Sequence, residues 1–220
     1  MGVMAKIGRF ARLPFTNKLN RLHRDWRRVL GLLYHRHIFG SFGSGSILYR
    51  PVFMSYPEHI YIGNRVSIRP GARLETVVLD PAHPPRLTIG NQVNIEQNVH
   101  LVCSSRITIG DRVSITGNCS IVDTVHPFED VDNPIKIGYR IDPTPTPVEI
   151  GEGSFIGMGT MILPNVRIGK NCVIGANSTV TRSIPDYSVA SGSPARVIRR
   201  YDWARKEWIK VPNGEKMFCD

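Results

Sequence analysis

The sequence has no run of about 18 or more apolar residues, which excludes a membrane-spanning helix of ordinary length. Residues 1–15 are basic, but they lack the apolar core and the small residues at a cleavage site that mark a secretory signal. The four cysteines show no Cys-x-x-Cys spacing, so neither a zinc knuckle nor a disulfide framework is indicated. We therefore expect a cytoplasmic protein with reduced thiols, either free or held at the inner face of a membrane.

Acidic residues are scarce at the N-terminus. Residues 1–37 contain nine lysines and arginines but a single acid, Asp25, and so account for most of the formal net charge of +10. An arginine-rich amphipathic helix here can bind anionic lipid, or it can be the solvated face of a capping helix. The sequence leaves both open. It contains no nucleic-acid-binding motif, so we expect no nucleic-acid partner.

The dominant pattern from residue 62 onward is an internal repeat of six residues. Within each block an aliphatic residue recurs at every sixth position, at Ile62, Ile68, Leu74, Ile89, Ile95, Leu101, Ile109, Ile115, Ile121, Ile150, Ile156, Ile162, Ile168, Ile174 and Val180. A helix of 3.6 residues per turn cannot keep this stripe on one face. The pattern predicts an all-β solenoid, a parallel β-helix in which three units close one coil and the aliphatic residues point inward.

The solenoid repeat is interrupted in three places. A proline-rich insert occupies residues 75–86, two extra residues precede Ile109, and a long loop spans residues 122–147. Long loops on a rigid solenoid are either functional or disordered. Cys119 and Cys172 fall on the small inward position of their units, so we expect them to be packing residues.

Each end of the chain differs from the repeat. Residues 17–37 place Leu22, Trp26, Val29, Leu30 and Leu33 on one helical face, which predicts an amphipathic helix that covers the first coil. The segment after Pro194 also has a helical pattern and predicts a C-terminal helical cap. The expected organisation is an arm and helix over 1–46, a β-helix over 47–192 and a cap over 193–220.

The hexapeptide units, the loop sequence "TVHP" and the ending "GSPARVIRR" together resemble the left-handed parallel β-helix acyltransferases. The similarity is to the maltose, galactoside and nodulation-factor O-acetyltransferase branch, and residues 40–74 look like its polysaccharide and lipopolysaccharide biosynthesis subgroup. It covers about residues 40–200. The left hand of the coil and a homotrimer with active sites between subunits are implied by this resemblance alone.

The resemblance implies a catalytic base at His126, the histidine of "TVHP". A histidine suits the removal of a proton from an acceptor hydroxyl because its unperturbed pKa is about 6.5. Asn98 matches a family asparagine that binds the acceptor, although a corner asparagine with left-handed backbone explains it equally well. Asp123 either orients the imidazole or ends a strand, and Glu129 is its weaker rival.

For acetyl-CoA, the resemblance implies contacts along the later coils. Phe155 occupies the place of a family tryptophan beside the pantetheine arm, and the backbone N–H of Met158, flanked by Gly157 and Gly159, matches the oxyanion donor. Further positions matched to the cofactor are Ala176, Arg182, Pro194 and Arg196. Arginine suits phosphate recognition, although these arginines also fit a solvated surface.

The expected function is transfer of an acetyl group from acetyl-CoA to a sugar hydroxyl, on a glycan or glycolipid precursor. The alternatives are N-acetylation of a small amine, use of another acyl donor, or a non-catalytic module at a membrane surface. Zinc carbonic anhydrases use a similar solenoid, but residues 127–220 contain no histidine to complete their metal site. We therefore expect no metal.

Overall fold

The computed structural model describes residues 13–212 as three parallel β-sheets with a helix at the N-terminal side. Sheet A contains β1 (Ser41–Phe42), β4 (Ile60–Ile62), β7 (Arg86–Ile89), β10 (Arg106–Ile109), β13 (Val148–Ile150) and β16 (Arg167–Ile168). Sheet B begins with β2 (Ile47–Leu48), β5 (Ser67–Ile68), β8 (Asn94–Ile95), β11 (Ser114–Ile115), β14 (Phe155–Ile156) and β17 (Val173–Ile174). Sheet C contains β3 (Phe53–Ser55), β6 (Arg73–Thr76), β9 (His100–Cys103), β12 (Ser120–Val122), β15 (Met161–Ile162) and β18 (Thr179–Val180).

Successive strands enter sheets A, B and C in turn, and every third strand returns to the same sheet. The strands of successive turns pair in parallel and in register, as in Ile95, Ile115 and Ile156 of sheet B. Residues 13–212 therefore make six three-stranded coils. The hexapeptide repeat is the cause, because one short strand and one corner use six residues.

The repeated aliphatic residues form one continuous core inside the three sheets. Ile95, Ile115, Ile121 and Ile156 are all fully buried. Each isoleucine removed from water in this way stabilises the fold by roughly 1.5–3 kcal/mol. The packing role expected of Cys119 and Cys172 is confirmed, since both are buried and free, and burial raises the pKa of both thiols.

The N-terminal helix α1 (Phe15–Leu30) continues into a π-helical turn (Gly31–His35) and a last α-helical turn (Arg36–Ile38). The expected helix is confirmed, but its expected orientation is wrong. Leu22, Trp26, Val29 and Leu33 are exposed, and none of the residues of α1 is buried. The helix contacts sheet B through its polar side instead.

The coil begins earlier than residue 47. Strand β1 pairs with β4 at Ser41 and Phe42, which lie in the segment expected to belong to the N-terminal arm and helix. Two short 3₁₀ turns among the described residues, Pro57–His59 and Ile137–Tyr139, lie outside the sheets.

The expected C-terminal helical cap is wrong. Strand β19 (Ser188–Gly192) continues sheet B, and β20 (Ala195–Asp202) and β21 (Glu207–Lys210) add to it as an antiparallel hairpin. The edge of β19 offers unpaired backbone groups, and pairing with them outweighs a weak helical pattern. Tyr201 packs against Trp203 and Trp208 across the hairpin.

Within residues 13–212, none of the helices has the length and apolar composition needed to cross a membrane.

Candidate functional site

The segment between β12 and β13 leaves the coil at the corner between sheets C and A, and its two legs are tied together at the base. The hydroxyl of Thr146 donates to the carbonyl of Asp123 at 2.5 Å, and the N–H of Asp142 donates to the carbonyl of Val125 at 3.0 Å. The loop therefore has a closed neck, which fixes where residues 124–126 emerge.

His126 makes a further contact between the two legs of the loop. Its Nδ1 lies 2.7 Å from the carbonyl oxygen of Arg140 on the opposite leg, and its side chain is exposed. A carbonyl oxygen only accepts hydrogen bonds, so Nδ1 carries the proton in this contact and Nε2 of the neutral ring is left as a proton acceptor. The loop thus presents a histidine in the tautomer that a general base requires.

Arg140 organises the rest of the loop, and the sequence reasoning missed it. Its guanidinium donates to the backbone carbonyls of Ile135 at 2.6 Å, Asp130 at 2.8 Å and Asn133 at 2.8 Å. Its own carbonyl is the partner of His126. One residue therefore connects the fold of segment 130–135 to the position of the imidazole. The only sequence signal was an arginine inside the long loop.

Asp123 does not orient His126, which corrects that alternative. Its side chain is buried, and its carboxylate accepts hydrogen bonds from the N–H groups of Ser104 at 2.5 Å and Ser105 at 2.9 Å in the preceding coil. The loop replaces the corner that would otherwise cover those N–H groups, so the carboxylate satisfies them. Glu129, the rival, accepts from the N–H of Phe128.

Asn98 stands at the corner between sheets B and C, with a φ of 57°. The same corner position is left-handed at Asn118 and Asn177 in other coils, with φ values of 60° and 54°. The Nδ2 of Asn98 donates to the Oδ1 of Asn118 at 3.2 Å. Backbone conformation therefore accounts for an asparagine at this place, and its amide also lies on the outer surface of the corner.

Backbone N–H groups along the corner between sheets B and C form a column. Within the described part of the chain, the hydrogen-bond pattern leaves the N–H of the second corner residue without a partner in four successive coils, at Gln97, Gly117, Met158 and Ala176. The carbonyls of Gln97, Gly117 and Met158 accept hydrogen bonds from the next coil. Two of the sequence-predicted donors, Met158 and Ala176, thus lie one coil apart on one corner, or about 4.8 Å.

The glycines beside Met158 are required by the coil itself. A Cβ on Gly157 would lie 2.5 Å from the backbone nitrogen of Ala176, and one on Gly159 would lie 2.4 Å from the Oδ1 of Asn177. Gly159 also has a φ of 71°. The atoms that approach these two glycines closely belong to the next coil.

An exposed apolar patch surrounds this corner. Phe155 points outward from β14 and is 44% exposed, and its neighbour in the ladder is Val173 on β17. Met158 at the corner and Met161 on β15 are also exposed. Large apolar side chains on adjacent strands form the kind of surface that an alkyl amide such as pantetheine can cover.

The remaining predicted cofactor residues lie at two different corners. Pro194 sits in the turn between β19 and β20, and the adjacent Ser193 donates its hydroxyl to Thr179 at 2.9 Å. Arg196 is exposed on β20, opposite Ser191. Arg182 follows β18 and is exposed at the corner between sheets C and A.

The candidate residues therefore form two groups in one chain. Asn98, Met158, Ala176 and Pro194 follow the corner between sheets B and C, whereas the His126 loop and Arg182 leave the corner between sheets C and A. The residues of sheet C that separate the two corners span on the order of 10–15 Å at about 3.3 Å each.

Comparisons with known proteins agree with this architecture. A family model described as bacterial transferase hexapeptide (six repeats) matches residues 147–182. The lipopolysaccharide biosynthesis O-acetyl transferase WbbJ of Escherichia coli is 30% identical over 159 residues, which are 69% of this chain and 81% of that protein. The chain belongs to the hexapeptide-repeat transferase family.

The alignments with two further relatives cover different shares of this chain and of the relative. The galactoside O-acetyltransferase of Escherichia coli is 30% identical over 74% of this chain and 65% of its own length. A Mycobacterium tuberculosis protein named as an acetyltransferase is 33% identical over 66% of this chain, which spans only 44% of that relative.

A solved structure of this fold contains an acyl-CoA. The structure of AntD, an N-acyltransferase from Bacillus cereus, in complex with dTDP and 3-hydroxybutyryl-CoA, has a TM-score of 0.61 and 25% identity. The similarity covers 74% of this chain and 84% of AntD.

Proposed function

We propose that this protein is a coenzyme-A-dependent O-acetyltransferase that moves an acetyl group from acetyl-CoA to a sugar hydroxyl of a glycan or glycolipid precursor. The observation that carries the proposal is the His126 imidazole, which the Arg140 carbonyl holds with Nε2 free at the head of the long loop. The names of WbbJ and the galactoside O-acetyltransferase support the reaction and the acceptor class. The match to the hexapeptide family model supports the left-handed coil that the sequence resemblance implies.

The reaction requires a general base, a hydrogen-bond donor for the oxyanion and a groove that binds both substrates, because the thioester is already activated. His126 Nε2 takes the proton of the acceptor hydroxyl as its oxygen attacks the acetyl carbonyl carbon. The N–H of Met158 stabilises the negative charge that develops on the carbonyl oxygen. The carbon–sulfur bond then breaks, and the imidazolium returns its proton to the departing sulfur, which leaves as coenzyme A.

The patch around Phe155 and Met158 fits the apolar part of the pantetheine arm, and the N–H of Ala176 fits one of its amides. Arg182 and Arg196 supply charge for the phosphates, and Pro194 supplies a flat surface for the adenine. These assignments rest on the corner column and on exposure, and on the binding of acyl-CoA by AntD.

A site between two subunits follows from the two groups of residues. A base and an oxyanion donor that act on one carbonyl must each lie about 3 Å from the reacting atoms. In one chain, His126 and Met158 belong to different corners of the coil. We infer a homotrimer in which the His126 loop of one subunit meets the Met158 corner of its neighbour.

Arg140 is a positioning residue in this scheme. It does not contact the reacting atoms in the proposal, but it fixes both the carbonyl that selects the tautomer of His126 and the loop that surrounds the acceptor. Asp123 supports the corner beneath and takes no part in proton transfer.

An amine acceptor is the second candidate, because AntD is an N-acyltransferase. An amine needs the same base, so the arrangement around His126 fits both acceptors. The two are separated by assay: purified protein is offered acetyl-CoA with a panel of glycans, nucleotide sugars and amino sugars, and the product bond is identified as an ester or an amide.

The assay for the proposal measures release of coenzyme A and follows the mass of the protein assembly in solution. We expect acceptor-dependent turnover from a trimer. Coexpressed subunits that carry either His126→Ala or Met158→Pro, which removes the proposed donor N–H without breaking a bond of the coil, should recover part of the activity in mixed trimers. No recovery, with each variant still trimeric, would contradict the shared site.

A further inference from the structure

Helix α1 and the turn after it carry an apolar stripe that no other part of residues 13–212 covers. Phe15, Leu19, Leu22, Trp26, Val29 and Leu33 recur at spacings of three and four residues, so they share one side of the helix. Their exposed fractions run from 39% at Val29 to 73% at Phe15. A contiguous set of large apolar side chains at this exposure marks a surface that another body covers.

The opposite side of α1 faces the coil. Asn17, Asn20 and Arg24 of the helix line a groove together with Tyr49 and Arg69 of the coil. The ring of His23 lies 5.8 Å from that of Tyr49. The helix therefore sits with its polar side against the protein and its apolar side outward, which is the reverse of a helix that covers a core.

Basic residues border the apolar stripe. Lys18 lies nearest to the stripe on one side and Arg27 on the other, whereas Arg21 and Arg24 line the groove against the coil. Asp25 is the only acid of α1. Asp25 is paired with Arg28 at 3.2 Å and with Arg24 at 3.8 Å. The surface that meets the stripe must therefore accept apolar side chains and also supply negative charge.

We propose that the apolar stripe of α1 docks on a membrane surface that contains anionic lipid. At 1.5 Å per residue the 16-residue helix is about 24 Å long, and it lies in the plane of the interface with Trp26 and its neighbours among the acyl chains. Each basic residue near an anionic surface adds about 1 kcal/mol of attraction. This proposal concerns where the enzyme sits and is independent of its reaction.

A second copy of the chain that packs its own stripe against this one is a poorer occupant. Packing stripe against stripe would bring two sets of arginines together, and like charges at close range repel each other. Anionic lipid satisfies both the apolar and the charged requirement with one partner. Charge complementarity therefore decides in favour of the membrane.

The test uses the full-length protein and vesicles. We expect it to float with phosphatidylcholine vesicles that contain phosphatidylglycerol, but not with vesicles of pure phosphatidylcholine. High salt should release the bound protein, because screening weakens charge attraction. The variant Leu22→Ser with Trp26→Ser should lose at least tenfold in vesicle affinity. A matched control, Leu79→Ser with Val131→Ser, removes two apolar side chains that are exposed on other loops and should bind as the native protein does.

Fluorescence gives a direct readout. The chain has three tryptophans, so Trp203→Phe with Trp208→Phe leaves Trp26 as the sole emitter, and anionic vesicles should shift its emission to shorter wavelength. Equal binding to neutral and anionic vesicles, or no binding to either, overturns the proposal. So does a fall in the solution mass of the Leu22→Ser, Trp26→Ser variant, since it would mean that another copy covers the stripe.

Discussion

The coil and the segments that leave it are stabilised in different ways. In the coil, a buried isoleucine sits between inward-facing residues of the coils before and after it, as Ile115 does between Ile95 and Ile156. The loop over 123–147 has no such repetition, and single polar contacts such as those of Arg140 fix it. Stability is therefore shared among many residues in the coil, whereas function in the loop depends on a few.

His126→Ala should have the largest effect on the proposed reaction. Removal of the base should lower kcat by roughly 10²–10⁴-fold, the usual contribution of general base catalysis. The melting temperature and the assembly should stay unchanged, because the side chain is exposed. Initial rates with saturating acetyl-CoA measure this effect.

His83→Ala is the matched control, since His83 is an exposed histidine in the other long loop, paired with Asp80 at 2.8 Å. It should leave kcat as it is. A native rate in His126→Ala would remove the assigned base.

Ile115→Ala should have the largest effect on stability. Ile115 is fully buried, and its truncation should lower the free energy of unfolding by about 2–5 kcal/mol, because the stacked coils cannot collapse into the cavity. Val131→Ala in the loop, where the side chain is 87% exposed, should change it by no more than about 0.5 kcal/mol. Denaturant unfolding measures both, and equal losses would contradict the contrast between coil and loop.

Arg140→Ala tests whether the loop depends on one residue. Loss of its three donors frees segment 130–135, so we expect kcat to fall by about 10–100-fold with little change in the KM for acetyl-CoA. The ring nitrogen NMR signals of His126 should show a single tautomer in the native protein and a mixture in the variant.

Arg140→Lys should recover little, because one ammonium cannot reach three carbonyls that a planar guanidinium does. Lys136→Ala, a neutralised cation on the same loop, should keep both kcat and the single tautomer. If Arg140→Ala behaves like Lys136→Ala, Arg140 has no positioning role.

Asp123→Asn distinguishes support from catalysis. An amide cannot accept from both Ser104 and Ser105 as the carboxylate does, so a buried N–H is left poorly paired at a cost of about 1–3 kcal/mol. We expect a lower melting temperature and a nearly native kcat below it. A large loss of kcat at native stability would return Asp123 to the proton-transfer machinery.

The sequence predicted the coil well because the period acts locally. Every sixth aliphatic residue identifies an inward position, and the helix of residues 17–37 and the loop around His126 followed from where the period stops. The predictions that were wrong concern choices between partners that the chain meets only after folding. The segment after Pro194 pairs with the edge of β19, and α1 turns its polar side to the coil.

The candidate site shows the same limit. His126, Met158 and Ala176 were predicted from the resemblance to the acyltransferase family, but Arg140 acts through backbone carbonyls at 130, 133 and 135, for which no residue type is required. A contact between an arginine and main-chain oxygens leaves almost no pattern in a sequence. The left hand of the coil and the trimer stay predictions from the resemblance.

The smallest expected effect lies at His35, where α1 joins the coil. Its imidazole is buried between Phe39 and Phe42, at ring distances of 5.9 and 5.1 Å, and its Nδ1 has no hydrogen-bond partner in the described part of the chain. Burial, and then the charge of Arg27, lower the pKa of His35 from its usual value of 6.5.

The pKa of His35 is lower in the folded than in the unfolded protein. Its contribution to the stability of the fold is therefore complete above pH 6.5 and is lost as the pH falls through the folded pKa. We expect faster amide hydrogen exchange over residues 31–42 at acidic pH, after correction for the intrinsic pH dependence, with the coil core unchanged. His35→Phe should abolish this difference, since a phenyl ring takes no proton. A pH response that persists in His35→Phe would show that another group controls the junction, and a response that spreads through the core would show that the junction and the coil unfold as one unit.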